Sequence, residues 1–439
     1  MRYLLPALVL FVSTGTVGAG VLDEVPLEGT VRVAAIGPIT KSADGSVELR
    51  RIRVTAPGTR TVALMPGGRE VVLPDSDRKW FISTRRSGPR FWISVAPDGE
   101  SFEGVVFESG GHQEISGTLG KDALHVRTSK AGTKAPGSYT CGVDGSVHEA
   151  AAPGGPGQPA TLAGLGKGAV LHEAVVAVDT DNEFMSRKFS NNTSNATNYL
   201  DQLFAGMNVF YEGDLDVRLV RGDTFLRVAP DSYTQTTTDA QLNEVGAFWK
   251  DNLAAINRAF VVFLSGKSPN EFSSSGIAWL LTSGSYCAAK GTVQQPGNQV
   301  VGHYSASQVF RFNGSTAAND VSLVGHELGH NFGVNHTHCT NMGGGQPAST
   351  NTLDQCFNGE SGLGCYGGTP ACPAGGKGTI MSYCHLGGMA GANCGANLQE
   401  FHPVHRGVLD VRVATNIANS CFTAAGGVPV DRIFYSGFE

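Results

Sequence analysis

The run His326-Glu327-Leu328-Gly329-His330-Asn331-Phe332-Gly333-Val334-Asn335-His336 decides how the rest of this 439-residue chain is read. On a helix His326 and His330 stand four residues apart, so both imidazoles leave one face with Cβ atoms roughly 6 Å apart, suited to gripping a single ion. Val324, Leu328 and Phe332 form a separate stripe about 200° round the axis, which should pack on a sheet. Glu327 lies about 100° from His326, near such an ion but poorly placed to ligate it. It can instead bond a water held there and act as general base. If the helix ran on, His336 would point away and lie about 9 Å further along the axis, so the chain must turn back. Gly333 supplies the turn, because a left-handed conformation costs glycine almost nothing. Three neutral imidazoles suit Zn2+ with an open fourth position. His326, His330 and His336 are therefore the expected metal ligands. The other histidines at 303, 338, 385, 402 and 405 are expected to be structural or substrate-facing.

The spacing His-Glu-x-x-His-x-x-Gly-x-x-His resembles the signature of the metzincin zinc endopeptidases. Gly378-Thr379-Ile380-Met381-Ser382-Tyr383 is similar to the Met-turn of that family. The resemblance implies a catalytic domain over residues 169–421, with an upper sheet subdomain, a lower irregular subdomain and a cleft between them. It implies Met381 as an apolar floor beneath the metal, protein or peptide substrates, and room for a structural Ca2+ whose ligands the sequence does not assign. Cys339 and Cys384, close behind the two motifs, look like the reprolysin and adamalysin branch, although Thr337 stands where that branch usually has Asp. Tyr383 resembles the tyrosine of astacins and serralysins that approaches zinc or the oxyanion; the alternative is a packing tyrosine. Gly276-Ile277-Ala278-Trp279 resembles the family's edge strand above the zinc, where an extended peptide pairs through its main chain. An internal strand is the other reading. Cys141-Gly142-Val143-Asp144 resembles the cysteine switch of latent matrixins and adamalysins, in which a thiolate fills the fourth zinc position and the propeptide acts as the enzyme's own inhibitor. Here Thr140 replaces the usual Arg and no Pro follows Val143, so a free or intermolecularly paired Cys is the alternative.

Composition agrees with an exported protein. The 38 acidic and 32 basic side chains give a net charge of -6, with no basic block, which argues against nucleic acid or an anionic membrane as partner. Met1-Arg2-Tyr3, an apolar run from Leu4 to Val12 and the small residues ending Val17-Gly18-Ala19 have the three parts of a secretory signal peptide over 1–19. A membrane anchor would need roughly 20 apolar residues. The mature chain is thus expected to be secreted, without a membrane segment, and to act as a monomer. Of nine cysteines, eight lie from 287 onward and read as four disulfides whose pairing the sequence leaves open. Cys141 is left over.

Residues 26–128 alternate branched or aromatic with polar residues, as in Thr30-Val31-Arg32-Val33 and Arg90-Phe91-Trp92-Ile93-Ser94-Val95, between turns such as Asp98-Gly99. This predicts an antiparallel β-rich propeptide domain over 20–128. Residues 129–168, rich in Gly, Ala and Pro, read as an exposed linker open to processing. Glu173 to Asp179 follows as a buried strand, Asn195 to Tyr211 as a helix capped by Asn195, then strands at 215–221 and 259–264 with a helix near 239–256 between them. The fold class is therefore α/β (α+β), with a mixed twisted sheet supporting the site helix. Residues 422–439 are a tail too short to pack as a domain. Two other functions fit the same residues: a non-catalytic zinc-fold adhesion module, and a zinc amidase acting on a non-protein substrate.

Overall fold

The computed structural model describes residues 22, 24–37, 39, 45–84, 90–108, 111–120, 123–131, 170–267, 274–281, 284–287, 291–294, 299–311, 316–342, 350–360 and 364–426. The signal-like segment 1–19, Cys141, the linker from 132 and the tail from 427 lie outside them.

Nine strands come first: β1 (Thr30–Ile36), β2 (Ser46–Ile52), β3 (Thr61–Leu64), β4 (Glu70–Leu73), β5 (Lys79–Ser83), β6 (Arg90–Val95), β7 (Ser101–Glu108), β8 (Gly111–Leu119) and β9 (Ala123–Ala131). All but β3 and β4 close into a barrel in the order β1-β2-β5-β6-β7-β8-β9, shut by parallel pairing of Ala34 with Ala123. The alternation along each strand sorts its side chains. Val33, Leu49, Phe81, Phe91, Ile93 and Phe102 point into the barrel core. The opposite set, including Trp80, Ile82, Trp92, Val105 and Phe107, is equally apolar and packs outward into the core of the second unit.

That second unit holds β10 (His172–Thr180), α1 (Thr193–Leu215), β11 (Val217–Arg227), α2 (Thr238–Asn252), β12 (Phe260–Ser265), β13 (Gly276–Ala278), β14 (Thr292–Gln294), β15 (Gln299–Val301), β16 (Tyr304–Gln308), α3 (Ala318–Phe332), α4 (Pro403–Ala418) and β17 (Thr423–Ala424). Its mixed sheet runs β13-β16-β12-β10-β11-β3-β4, with β17 beside β10 and a separate β14-β15 hairpin. The hairpin β3-β4 belongs to the first stretch of sequence but completes this sheet, β3 running parallel to β11 with Thr61 opposite Thr224. Strands β10 and β12 are buried on both faces, as parallel strands covered by helices must be.

Helix α1 is buried around most of its circumference because it lies between the sheet, the barrel and α3. Its cap is Asn192, whose side chain accepts from the Asn195 N–H at 2.9 Å, so the helix begins before the expected Asn195. Helix α4 was not anticipated: Pro403 opens it and the His402 Nδ1 accepts from the Val404 N–H at 3.2 Å.

The described residues between 339 and 394 carry little regular structure and few buried apolar groups of their own. Three disulfides hold them, Cys339–Cys365, Cys356–Cys384 and Cys372–Cys394, while Cys287–Cys421 ties the segment after β13 to the end of α4. In the loop-entropy account each of the three short loops stabilises the chain by about 3 kcal/mol and the long Cys287–Cys421 loop by about 5 kcal/mol. Such bridges fit an oxidising compartment. No helix among the described residues is long and apolar enough to cross a membrane.

Candidate metal centre

Helix α3 delivers two histidines and then ends where glycine allows it. Gly333 sits at φ 108° and its N–H reaches the carbonyls of Gly329 at 3.2 Å and His330 at 2.8 Å. The chain doubles back through Val334 and brings His336 to the other two. The three Nε2 atoms lie 3.1 Å (His326 to His330), 3.2 Å (His330 to His336) and 3.1 Å (His326 to His336) apart, all buried.

The partners on the other side of each ring settle the tautomers. His326 Nδ1 lies 2.8 Å from the Ile380 carbonyl, His330 Nδ1 2.9 Å from the Val334 carbonyl and His336 Nδ1 2.7 Å from Glu360 Oε2. Carbonyl and carboxylate oxygens only accept, so each Nδ1 carries the proton and each Nε2 presents a lone pair. Three lone pairs converging at this separation repel one another unless a cation lies among them. Zn–N bonds of about 2.0–2.1 Å in a tetrahedral arrangement would set neighbouring nitrogens about 3.3 Å apart. The donor set therefore fits zinc. Burial, and then the neighbouring imidazoles, push His326 and His330 well below the ordinary histidine range, which keeps them neutral and able to ligate.

Glu327 is fully buried between α3 and the sheet. A Cβ at Gly276 would lie 2.8 Å from Glu327 Cδ and closer still to Oε1, so glycine at the start of β13 leaves room for this carboxylate. Strand β13 is the outer strand of the sheet, antiparallel to β16, with Ile277 opposite Ala306. Trp279 follows it, and the Asn331 side chain donates to the Trp279 carbonyl at 2.9 Å and the Tyr304 carbonyl at 3.0 Å, pinning this edge to α3.

Below the histidines, Met381 packs its Sδ against Gly329, 2.5 Å from where a Cβ would stand. The Tyr383 ring lies 4.3 Å from the His336 ring centre and 6.0 Å from that of His326, so it lines the histidine cluster.

The family model for reprolysin-type metallopeptidases of family M12 matches residues 172–393, just over half of the chain. The chain belongs to metallopeptidase family M12. Peptidases of this family generally use zinc, and they act on proteins or peptides. Among solved structures, a metalloproteinase-II from Bacteroides fragilis is similar at 9% identity and a TM-score of 0.36, over 72% of this chain and 84% of that one. A chaperone-substrate complex is similar at 12% identity and a TM-score of 0.28, over 71% of this chain and 39% of that one. Both likenesses are too loose to carry an argument. No curated protein sequence matches.

Two carboxylates of this peptidase escaped the sequence reading. Glu360 accepts from His336 Nδ1 and lies 2.8 Å from His338 Nε2. Burial alone would raise its pKa, but His336 and the bonds from both imidazoles outweigh that and hold the carboxyl well below the usual range. The second is Asp354. Thr337 Oγ1 donates to Ser382 Oγ at 2.9 Å, and Ser382 donates to Asp354 Oδ2 at 2.7 Å. Thr337 thus joins the third histidine to the Met381 turn, its N–H also donating to the Met381 carbonyl at 3.1 Å, and Asp354 anchors that link from further along the chain. Of the other histidines, His303 and His405 are buried and pushed down to about 3 by desolvation, His405 beside Thr340 Oγ1 at 2.9 Å.

Gly276→Ala follows directly as a test of the close approach. The added methyl should displace the Glu327 carboxylate and lower peptidase kcat about tenfold with zinc content unchanged. Steady-state kinetics and metal analysis on the purified variant check it; an unchanged kcat would show that the carboxylate has room to move.

Proposed function

We propose that the chain is a secreted endopeptidase, made as a latent precursor, that hydrolyses peptide bonds in extended polypeptides with zinc held by His326, His330 and His336. The observation that carries this is the convergence of three Nε2 lone pairs beside the Glu327 carboxylate and the outer strand β13. Zinc in that site supplies Lewis acidity and lowers the pKa of a bound water toward neutrality. Glu327 takes a proton from the attacking water and returns one to the leaving amine. The main chain of Gly276, Ile277 and Ala278 offers an antiparallel pairing edge to an extended substrate, and the same strand holds Glu327 in register with it. Met381 forms the apolar floor, and Tyr383 is placed to steady charge near the site. In the precursor, Cys141 occupies the fourth zinc position. Residues 20–128 form the propeptide, with β9 running on to Ala131 at the start of the 129–168 linker, and residues 169–421 form the catalytic domain, with β17 pairing the start of the 422–439 tail to β10.

The position of Glu327 favours hydrolysis over the adhesion reading, and the extended edge at β13 favours polypeptide over a small non-protein amide. Incubating the full-length protein, its processed form and the full-length Cys141→Ala variant with denatured casein, with and without a chelator, tests all of this at once. Chelator-sensitive cleavage by the variant before any processing is the expected outcome. No cleavage by processed protein would reject the peptidase, and a variant as silent as its uncut parent would reject the thiolate lock.

A further inference from the structure

A propeptide that is to leave should touch its enzyme through a modest, polar surface of the kind transient interfaces use. The contact between residues 22–131 and the second unit is of another kind. Its first component is backbone. Arg221 N–H donates to the Val54 carbonyl at 2.7 Å, Ala56 N–H to the Arg221 carbonyl at 2.8 Å and Thr224 N–H to the Arg60 carbonyl at 2.8 Å, after which β3 pairs with β11 from Thr61 to Leu64. Without this stretch β11 becomes a bare edge of the sheet, a row of unpaired N–H and C=O groups.

The second component is apolar. Trp80, Ile82, Trp92, Val105 and Phe107, on the outward face of the barrel, are buried in the same continuous core as Leu200, Leu203 and Met207 of α1. Trp92 is wholly buried. An interface resembling a core cut in half is characteristic of permanent assemblies. The third component is charge. Arg218 has no exposed side-chain surface and lies between Glu212 of its own unit and Glu28 of the barrel side. Arg53 donates to Glu173 at 2.7 Å, and Arg90 pairs with Asp214 at 2.8 Å.

The β3 part of this contact also lies far from the cleft. In the sheet order, β3 and β13 are separated by five strand spacings, about 24 Å. The hairpin β3-β4 therefore extends the sheet at one edge while the metal centre lies at the other, and the barrel itself braces the start of α3, where Thr316 Oγ1 donates to Glu114 at 2.7 Å.

We infer that residues 22–131 are a permanent structural subunit of the peptidase: cutting the chain within 132–169 yields a two-chain protein in which the barrel and the β3-β4 hairpin stay bound. The inference takes the position of the cut from the latent-precursor reading, but not its chemistry. Unlocking and separation become different events, and only the first follows from the cut.

The test uses the full-length chain with a site for a specific protease introduced within Ala151-Ala152-Pro153-Gly154-Gly155-Pro156-Gly157. After cutting, the two fragments should elute together in gel filtration at the mass of the uncut chain, in dilute and in concentrated salt, and should unfold in a single thermal transition. Separation of the N-terminal fragment in native buffer, leaving a folded C-terminal fragment, would overturn the proposal. Trp92→Ala in the same background should make the cut protein, but not the uncut one, shed its N-terminal fragment; shedding by both cut forms alike again overturns it. Activity is not among these readouts, so a failed thiolate lock would show in the casein assay and leave this result readable.

Discussion

Glu327→Gln should lower kcat/KM on a peptide substrate by roughly 10²–10⁴-fold, the range expected for losing a general base, with zinc content unchanged. Glutamine keeps the shape of the side chain, so the packing against Gly276 survives. What disappears is the capacity to take a proton. The metal is not expected to leave, because the three converging nitrogens belong to His326, His330 and His336 and their orientations depend on Ile380, Val334 and Glu360 rather than on Glu327. Kinetics and metal analysis on the same preparation decide the matter. Zinc loss in step with activity would make Glu327 a structural support of the site, and activity near that of the parent would remove it from the chemistry altogether.

Glu360→Gln should weaken zinc binding by roughly 10–100-fold, the usual effect of removing a carboxylate behind a ligating histidine. The charge of Glu360 fixes the His336 proton on Nδ1, turns Nε2 toward the site and makes that nitrogen a stronger donor. It also holds His338, whose ring stacks on His336 at 5.1 Å. A glutamine amide can turn either its oxygen or its NH2 toward His336, so the ring is no longer held in one tautomer. Competition with a chromophoric chelator measures the change directly. An affinity equal to that of the parent would mean that the Gly333 turn alone orients His336.

The parts of this site that the sequence exposes are those governed by short-range geometry. Two histidines four residues apart on a helix must share a face, a carboxylate between them must sit beside it, and glycine is the residue that reverses a helix cheaply. The cysteine count and its concentration after 287 likewise announce a bridged region, though not which sulfur meets which. Glu360 and Asp354 gave no such signal. Each is a lone acidic residue in a Gly- and Cys-rich stretch, 24 residues from His336 and 28 residues from Ser382 respectively, and only the folding of 339–394 around its disulfides brings them in.

The same division runs through the fold. Alternation marked the N-terminal strands, because side chains on a strand must point to opposite faces whatever surrounds them. Both faces of β6 are apolar, however, and nothing local says which of Phe91 and Trp92 fills a barrel and which fills a neighbour's core. Nor could a short run such as Thr61-Val62-Ala63-Leu64 announce that it and β4 would leave the barrel to extend a sheet whose remaining strands begin more than a hundred residues later. Strand pairing is a contest among all available edges in three dimensions. The sequence by itself determined the metal-binding chemistry, since that rests on helical periodicity and one glycine. The tertiary structure decided which carboxylates support the histidines and which strands belong to which sheet, since those depend on contacts between residues far apart in the chain.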